Sequence, residues 1–243
     1  MIAACDPLVM KARWHGGIVP WSGVDDAITA AIAELADAGF DLVQTFDVAT
    51  AAREPGWEQL AADAEHGRTA GLVVGNTRAL WPRFVTAMRD PVLAAESDPL
   101  DRYTERTIEA AVTKASPGAP ILYGHRQYAG AFLPFTRLAV ATGLGSLARS
   151  NLVIHPIYGP WFALRAVILV PGDAPVRVPI ASPCTCASPC PTALATALVS
   201  SSWEPWLAVR DACSLRAWRY SDEQVRYHYT KEWLPPIAEL GSP

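Results

Sequence analysis

Four cysteines carry spacing that invites chemistry. Cys184, Cys186 and Cys190 crowd into residues 181–194, ASPCTCASPCPTAL, and Cys213 follows downstream. Thiolates are soft ligands and good nucleophiles, so such a group could hold iron or another soft metal, or do thiol chemistry directly. The Cys190-Pro191 step is similar to the end of a ferredoxin-type cluster run, but the rest of that run is missing.

The five histidines form no H-E-x-x-H, H-x-x-E-H or paired-ligand pattern. His155 stands between an apolar segment and Pro156, where a hydrogen-bonded structural role outweighs ligation. His228, in RYHYT, reads as a surface or interface residue on the last helix. There is no G-x-S-x-G, no Walker loop and no usable dinucleotide fingerprint. GLGSLARSN (143–151) contains glycines that serve either a turn at positive φ or a close backbone approach to a ligand, and local pattern leaves both readings open.

The elements that must position these residues are legible from periodicity and punctuation. DDAITAAIAELADAGF reads as a helix with Asp25 and Asp26 at its positive end and Gly39 just past its stop. FDLVQTFDV and the short apolar run TAGLVVGNT read as strands. RALWPRFVTAMRD places Leu80, Phe84, Val85 and Met88 on one helical face. DPLDRYTERTIEAAVTKA is a second amphipathic helix, ended by Ser116-Pro117-Gly118. APILYGHR predicts a strand, and LPFTRLAVATGLG a short helix ending at Gly143. NLVIHPIYGPWFALRAVILVPG predicts two β segments broken around Pro156–Pro160, hence a hairpin. TALATALVSS is a weak helix. SDEQVRYHYTKEW is a clear one, with Ser221 as N-cap. Irregular interleaving and tight turns favour an α+β fold.

The chain has 243 residues, enough for one large domain, and a net charge of −4 with 18% charged residues. No basic surface is implied, so nucleic acid is a poor partner. Twenty-one prolines and nine tryptophans favour a loop-rich fold with aromatic-lined pockets. The start, MIAACDPLVMKARWHGG, lacks the pattern of a secretory leader. The longest uncharged run, between Arg177 and Glu204, is broken by prolines and is not a membrane span. Cytoplasm is therefore the expected compartment, where five cysteines are thiols or metal ligands rather than disulfides.

Residues 142–172, TGLGSLARSNLVIHPIYGPWFALRAVILVPG, resemble the central block shared by CblC-type cobalamin-processing proteins and epoxyqueuosine reductases. The reductase pattern A-G-L-G-x-x-G-x-N-x-L-x-I-H-P-x-Y-G-x-W-F is matched by Gly143, Leu144, Gly145, Asn151, His155, Pro156, Tyr158, Gly159, Trp161 and Phe162. The CblC run I-H-P-x-x-G-G-W-F-A-I-R is similar to Ile154 through Arg165. Residues 39–48, 71–84, 98–112 and 210–228 resemble CblC segments in the same order.

That resemblance implies a nitroreductase-like α+β fold with a mainly antiparallel sheet, forming a single cobalamin-binding domain over 1–243. A Pro/Cys-rich loop at 173–200 would stand in place of an iron–sulfur insert. It implies that cobalamin binds base-off and that its upper axial ligand is removed or exchanged, by reduction or by thiolate-dependent dealkylation. A small-molecule thiol or reduced flavin would be the reductant, and a mostly apolar cavity would shield the low-valent cobalt. The implied corrinoid contacts are Gly130, Ala131, Thr136 and Arg137, together with the ten matched block residues above and Arg165. Ala129, Gly130, Ala131 and Arg137 fit the CblC tail-binding stretch. Gln127, Leu133, Pro134, Phe135 and Thr136 depart from it. Arg165 falls where CblC has an arginine linked to glutathione use, and a second such arginine would fall near Glu204-Pro205. No catalytic residue is assigned. The reductases' proton-donating aspartate falls near Ala129, which cannot deliver a proton, so epoxyqueuosine reduction is not expected.

In the reductases' two-cluster scheme, Cys186 and Cys190 would serve different clusters, each short of ligands, so intact iron–sulfur clusters are not expected. The residues leave two states: a single remodelled metal site of Cys184, Cys186, Cys190 and Cys213, or thiols near the corrin. The alternatives to ligand removal are a carrier without turnover, or an enzyme using bound cobalamin on a small organic substrate. Neither nucleic acid nor a membrane is an expected partner. A homodimer is, since related folds often pair.

Overall fold

Residues 70–76, AGLVVGN, carry no charge and no alternation, the pattern of a strand covered on both faces. A computed structural model, describing residues 26–174, 176, 178–184 and 190–233, shows why. Its elements begin with α1 (Asp26–Asp37), β1 (Leu42–Asp47), α2 (Val48–Ala51), α3 (Leu60–Glu65) and β2 (Ala70–Asn76). Then come α4 (Leu80–Ala87), α5 (Pro91–Ala94), α6 (Pro99–Ala115), β3 (Ile121–Tyr123), β4 (Gln127–Tyr128) and β5 (Ala131–Phe132). The order closes with α7 (Phe135–Ala141), β6 (Ser146–Leu147), β7 (Val153–Ile154), β8 (Ala163–Val170), α8 (Cys190–Leu198), α9 (Glu204–Asp211) and α10 (Asp222–Thr230).

A four-stranded sheet in the order β1-β2-β8-β3, antiparallel throughout, forms the centre. Alternation along each strand sends side chains to two cores. Leu72, Val74, Ala166 and Ile168 meet Leu35, Leu80, Phe84 and Ile108 from α1, α4 and α6. Val73, Val167 and Leu169 meet Phe46, Trp57, Leu60, Phe135 and Leu138 on the opposite face. Each large apolar side chain buried this way contributes about 1.5–3 kcal/mol before entropy is set against it. The result is a mixed α and β fold with an antiparallel central sheet, as the irregular interleaving predicted.

Local signals place several ends correctly. After α1, Gly39 N–H donates to Ala36 O and Phe40 N–H to Leu35 O, the pairing that closes a helix on a left-handed glycine. Asp98 caps α6, its carboxylate accepting from Asp101 N–H, and Ser221 caps α10, accepting from Gln224 N–H. Asp25, at the expected start of the first helix, and Cys186, in the cysteine run, lie outside the described residues.

Three expectations differ. The hairpin expected over 151–172 does not form: β7 pairs with β6, while β8 pairs with β2 and β3. The intervening residues 155–162 turn inward instead, because Trp161 is fully buried and Gly159 packs against the Leu215 carbonyl. The loop expected at 173–200 is shorter, because its last part is α8, which starts at Cys190 and takes in most of the helix read from TALATALVSS. His228, expected at a surface or an interface, is half-buried within the fold, its ring edge-on to Tyr229 at 5.0 Å. Among the described residues no helix is long and apolar enough to cross a membrane.

Candidate functional site

The block at 142–165 folds into a two-stranded ribbon and a stapled loop. Ser146 and Leu147 pair with Ile154 and Val153. Asn151, at φ 58°, closes the connecting turn with its N–H on Ala148 O. The loop is then pinned by reciprocal backbone bonds of 2.9 Å between His155 and Gly159. His155 Nδ1 lies inside it and accepts the N–H groups of Ile157 and Tyr158 at 3.1 and 3.3 Å. An acceptor at Nδ1 places the ring proton on Nε2. Burial pushes the imidazole pKa down to about 4, so the ring is neutral near pH 7. The Tyr158 ring stacks on it at 4.6 Å.

Exposure divides the candidate contacts. Leu144, Gly145, His155, Gly159, Trp161 and Phe162 are buried and hold the loop in shape. Gly143, Pro156, Tyr158 and Arg165 are half-buried, and Asn151 is exposed. The other group lies on the β4–β5 hairpin and the start of α7. Ala129 and Gly130, at φ 50° and 84°, make the two-residue hairpin turn in which both central residues take positive φ. Gly130, Ala131, Thr136 and Arg137 are all exposed, as is Phe132 at 59%. Two cavities among the described residues measure about 20 and 10 Å³, room for a water molecule or so and each far too small for a corrinoid.

A polar cluster crosses the end of the sheet. Asp41 accepts from Thr77 N–H at 2.7 Å and from Thr77 Oγ1 at 2.5 Å, and burial holds its carboxyl above the usual range. Next to Thr77, the Asn76 Oδ1 accepts from Arg165 Nε at 2.7 Å. Arg165 also lies 4.0 Å from Asp101, whose carboxyl burial raises. One turn on, Glu105 takes His125 Nε2 at 2.9 Å and Arg126 at 2.6 Å. Burial opposes ionisation of Glu105, but these two partners hold its pKa below the ordinary value.

Arg210 is the residue that motif reading missed. The family's second arginine falls where this chain has Glu204-Pro205, and Arg210 lies further along α9. Its guanidinium sits 5.6 Å from the Trp161 ring and 5.8 Å from the Tyr229 ring. Arg219 flanks Trp161 too, but is matched by Asp211 and Asp222 at 2.7 Å each. By contrast, a buried guanidinium nitrogen of Arg210 and the buried Trp161 Nε1 have no hydrogen-bond partner among the described residues. Two orphaned donors side by side are costly unless an acceptor joins them. Burial, with the charges of Arg210 and Arg165 adding to it, pushes His228 down to about 3. A signal existed in the sequence: Trp203, Leu207 and Arg210 fall at i, i+4 and i+7, one helical face.

Cys184, Cys190 and Cys213 come together around the 20 Å³ cavity, with Ala148, Leu152, Ile154, Pro160 and Val209 as apolar walls. Among the described residues, no three His, Cys, Asp or Glu side chains converge as metal ligands.

No family model matches the chain. A Homo sapiens protein named cyanocobalamin reductase / alkylcobalamin dealkylase is 37% identical over 101 residues, covering 40% of this chain and 33% of that protein. The Mus musculus protein of the same name is 35% identical over 94 residues, covering 38% and 31%. The match thus spans about a third of the length of these curated relatives. Among solved structures, a C. elegans B12-trafficking protein CblC, described as a human MMACHC homologue, aligns with a TM-score of 0.59 at 16% identity, over 84% of this chain and 91% of that one. An epoxyqueuosine reductase from Bacillus subtilis aligns at a TM-score of only 0.39 and 13% identity, over 69% of this chain and 51% of that one. The chain therefore shares the fold of the CblC structure and local sequence with the cobalamin reductase/dealkylases.

Proposed function

We propose that this chain binds cobalamin, base-off, and removes or exchanges its upper axial ligand. The observation that carries the reading is the coincidence of two likenesses. Local identity of 37% is to a protein named for cobalamin reduction and dealkylation, and fold similarity is to a B12-trafficking protein. The hairpin geometry supports it, since an exposed Phe132 and small residues at the Ala129-Gly130 turn let a flat ring lie close to backbone. Cobalamin is the substrate in this reading, and the chain's part is to orient it and to bring a reductant to the cobalt.

A small-molecule thiol is the reductant the site favours. Arg165 and Arg210 set up a positive field around Trp161, Tyr220 and His228, and the orphaned Arg210 nitrogen offers a charge-assisted hydrogen bond to a carboxylate. A thiol carrying carboxylates would answer both. The antiparallel sheet flanked by helices supports the nitroreductase-like arrangement implied by the resemblance. A homodimer and a cytoplasmic setting belong to the same reading.

The test adds cyano-, methyl- and adenosylcobalamin to the purified protein and records visible spectra with and without thiol or reduced flavin. A base-off spectrum followed by thiol-dependent loss of the alkyl group is expected. Absence of any spectral change would sink the reading. Binding without turnover would replace it with a carrier.

A further inference from the structure

The three cysteines around the 20 Å³ cavity are assembled by topology, not by sequence proximity alone. Helices α8 and α9 are short, nearly equal in length, joined by residues 199–203 and packed on each other. Such a helical hairpin brings the first residue of one helix beside the residues just past the end of the other. Those positions are Cys190, which opens α8, and Cys213, two residues beyond Asp211. Cys213 is held there by its N–H on Arg210 O at 3.1 Å and is only 9% exposed. Cys184 reaches the same space from the other side, its N–H on Ser182 Oγ at 3.2 Å. Ser146 Oγ donates to that same Ser182 oxygen at 3.1 Å, which ties the segment to β6. The cavity is about one water molecule across and walled by Ala148, Leu152, Ile154, Pro160 and Val209.

We propose that Cys190 and Cys213 are a redox pair that closes to a reversible disulfide across this cavity. The proposal goes beyond cobalamin processing and stands independently of it. A small disulfide is the oxidant. The half-buried Cys190 thiolate attacks one of its sulfurs, the small S–S bond breaks, and one small thiolate leaves and takes up a proton. Cys213 then attacks the Cys190 sulfur of the mixed disulfide, forms the internal S–S bond and displaces the second small thiolate. The protein loses two protons and two electrons, and the small disulfide becomes two thiols. The buried Cys213 closes the bond from within the mainly apolar cavity, which Ser150 and Cys184 also line.

The experiment treats the reduced full-length protein with oxidised glutathione, alkylates the remaining thiols and maps tryptic peptides without reduction. The expected product joins Asp211–Arg216, which carries Cys213, to the peptide ending at Arg210, with fragmentation placing the link on Cys190. Two thiols per chain disappear and return with dithiothreitol. In Cys213→Ala, Cys190 should instead retain the glutathione adduct. Recovery of Cys213 fully alkylated in the natural protein would overturn the proposal. So would linkage of Cys213 to any cysteine other than Cys190, or separate adducts on both. Should Cys213→Ala fail to fold, the link map of the natural protein decides by itself.

Discussion

Replacing His155 by asparagine isolates what the stapled loop costs in acid. Nδ1 accepts two amide N–H groups in a buried site, and burial lowers the imidazole pKa from 6.5 to about 4. Above about pH 7 both the folded and unfolded chains carry a neutral ring, and His155 contributes no pH dependence. As pH falls through 6.5 the unfolded chain takes a proton that the folded loop refuses, so stability declines. The decline ends near pH 4, where the folded state also protonates. Two and a half pH units at about 1.36 kcal/mol each correspond to a loss of about 3 kcal/mol across that window. The asparagine side chain cannot titrate, while its Oδ1 can still accept an amide N–H, so groups shared by both proteins cancel in the comparison. His228, pushed down to about 3, and Asp41, raised by burial, are among them. Urea unfolding of both proteins at half-unit steps from pH 4 to 8 measures the difference. The natural protein's stability, relative to His155→Asn, should fall by about 3 kcal/mol between pH 6.5 and 4 and stay constant above 7. Parallel stability curves through that window would refute the neutral, amide-accepting ring.

Gly159→Ala should be strongly destabilising in a thermal melt. Its Cβ would lie 1.9 Å from Leu215 O, and φ is 57°, which together add about 1–2 kcal/mol of left-handed strain to about 1–3 kcal/mol of overpacking. Asp41→Ala leaves Thr77 N–H and Oγ1 without their acceptor and should cost about 1–3 kcal/mol in urea unfolding. On the proposed activity, Arg210→Met should raise the KM for an acidic thiol roughly tenfold through the lost charge-assisted hydrogen bond, while the base-off spectrum is unchanged. Steady-state rates at varied thiol concentration distinguish this from a loss of cobalamin binding.

Local physics wrote much of the fold in plain view. Asp98 before α6, Ser221 before α10 and Gly39 after α1 mark helix ends because capping needs only neighbours in the chain. The unbroken apolar run of β2 marks a strand covered on both faces for the same reason. The 142–165 block was legible as a resemblance, though not which of its residues face inward. Burial of Trp161 and Gly159 depends on Leu215 and α9, more than forty residues away in the chain. Sequence alone determined the capped helices, the central strand and the types of chemistry available: thiols, a histidine before proline, arginines among aromatics. Only tertiary structure decided that β7 pairs with β6 rather than β8, that Arg210 lies against Trp161, and that Cys184, Cys190 and Cys213 line one cavity. Pairings between distant segments are set by which faces can be buried together, and that is a property of the whole packed chain.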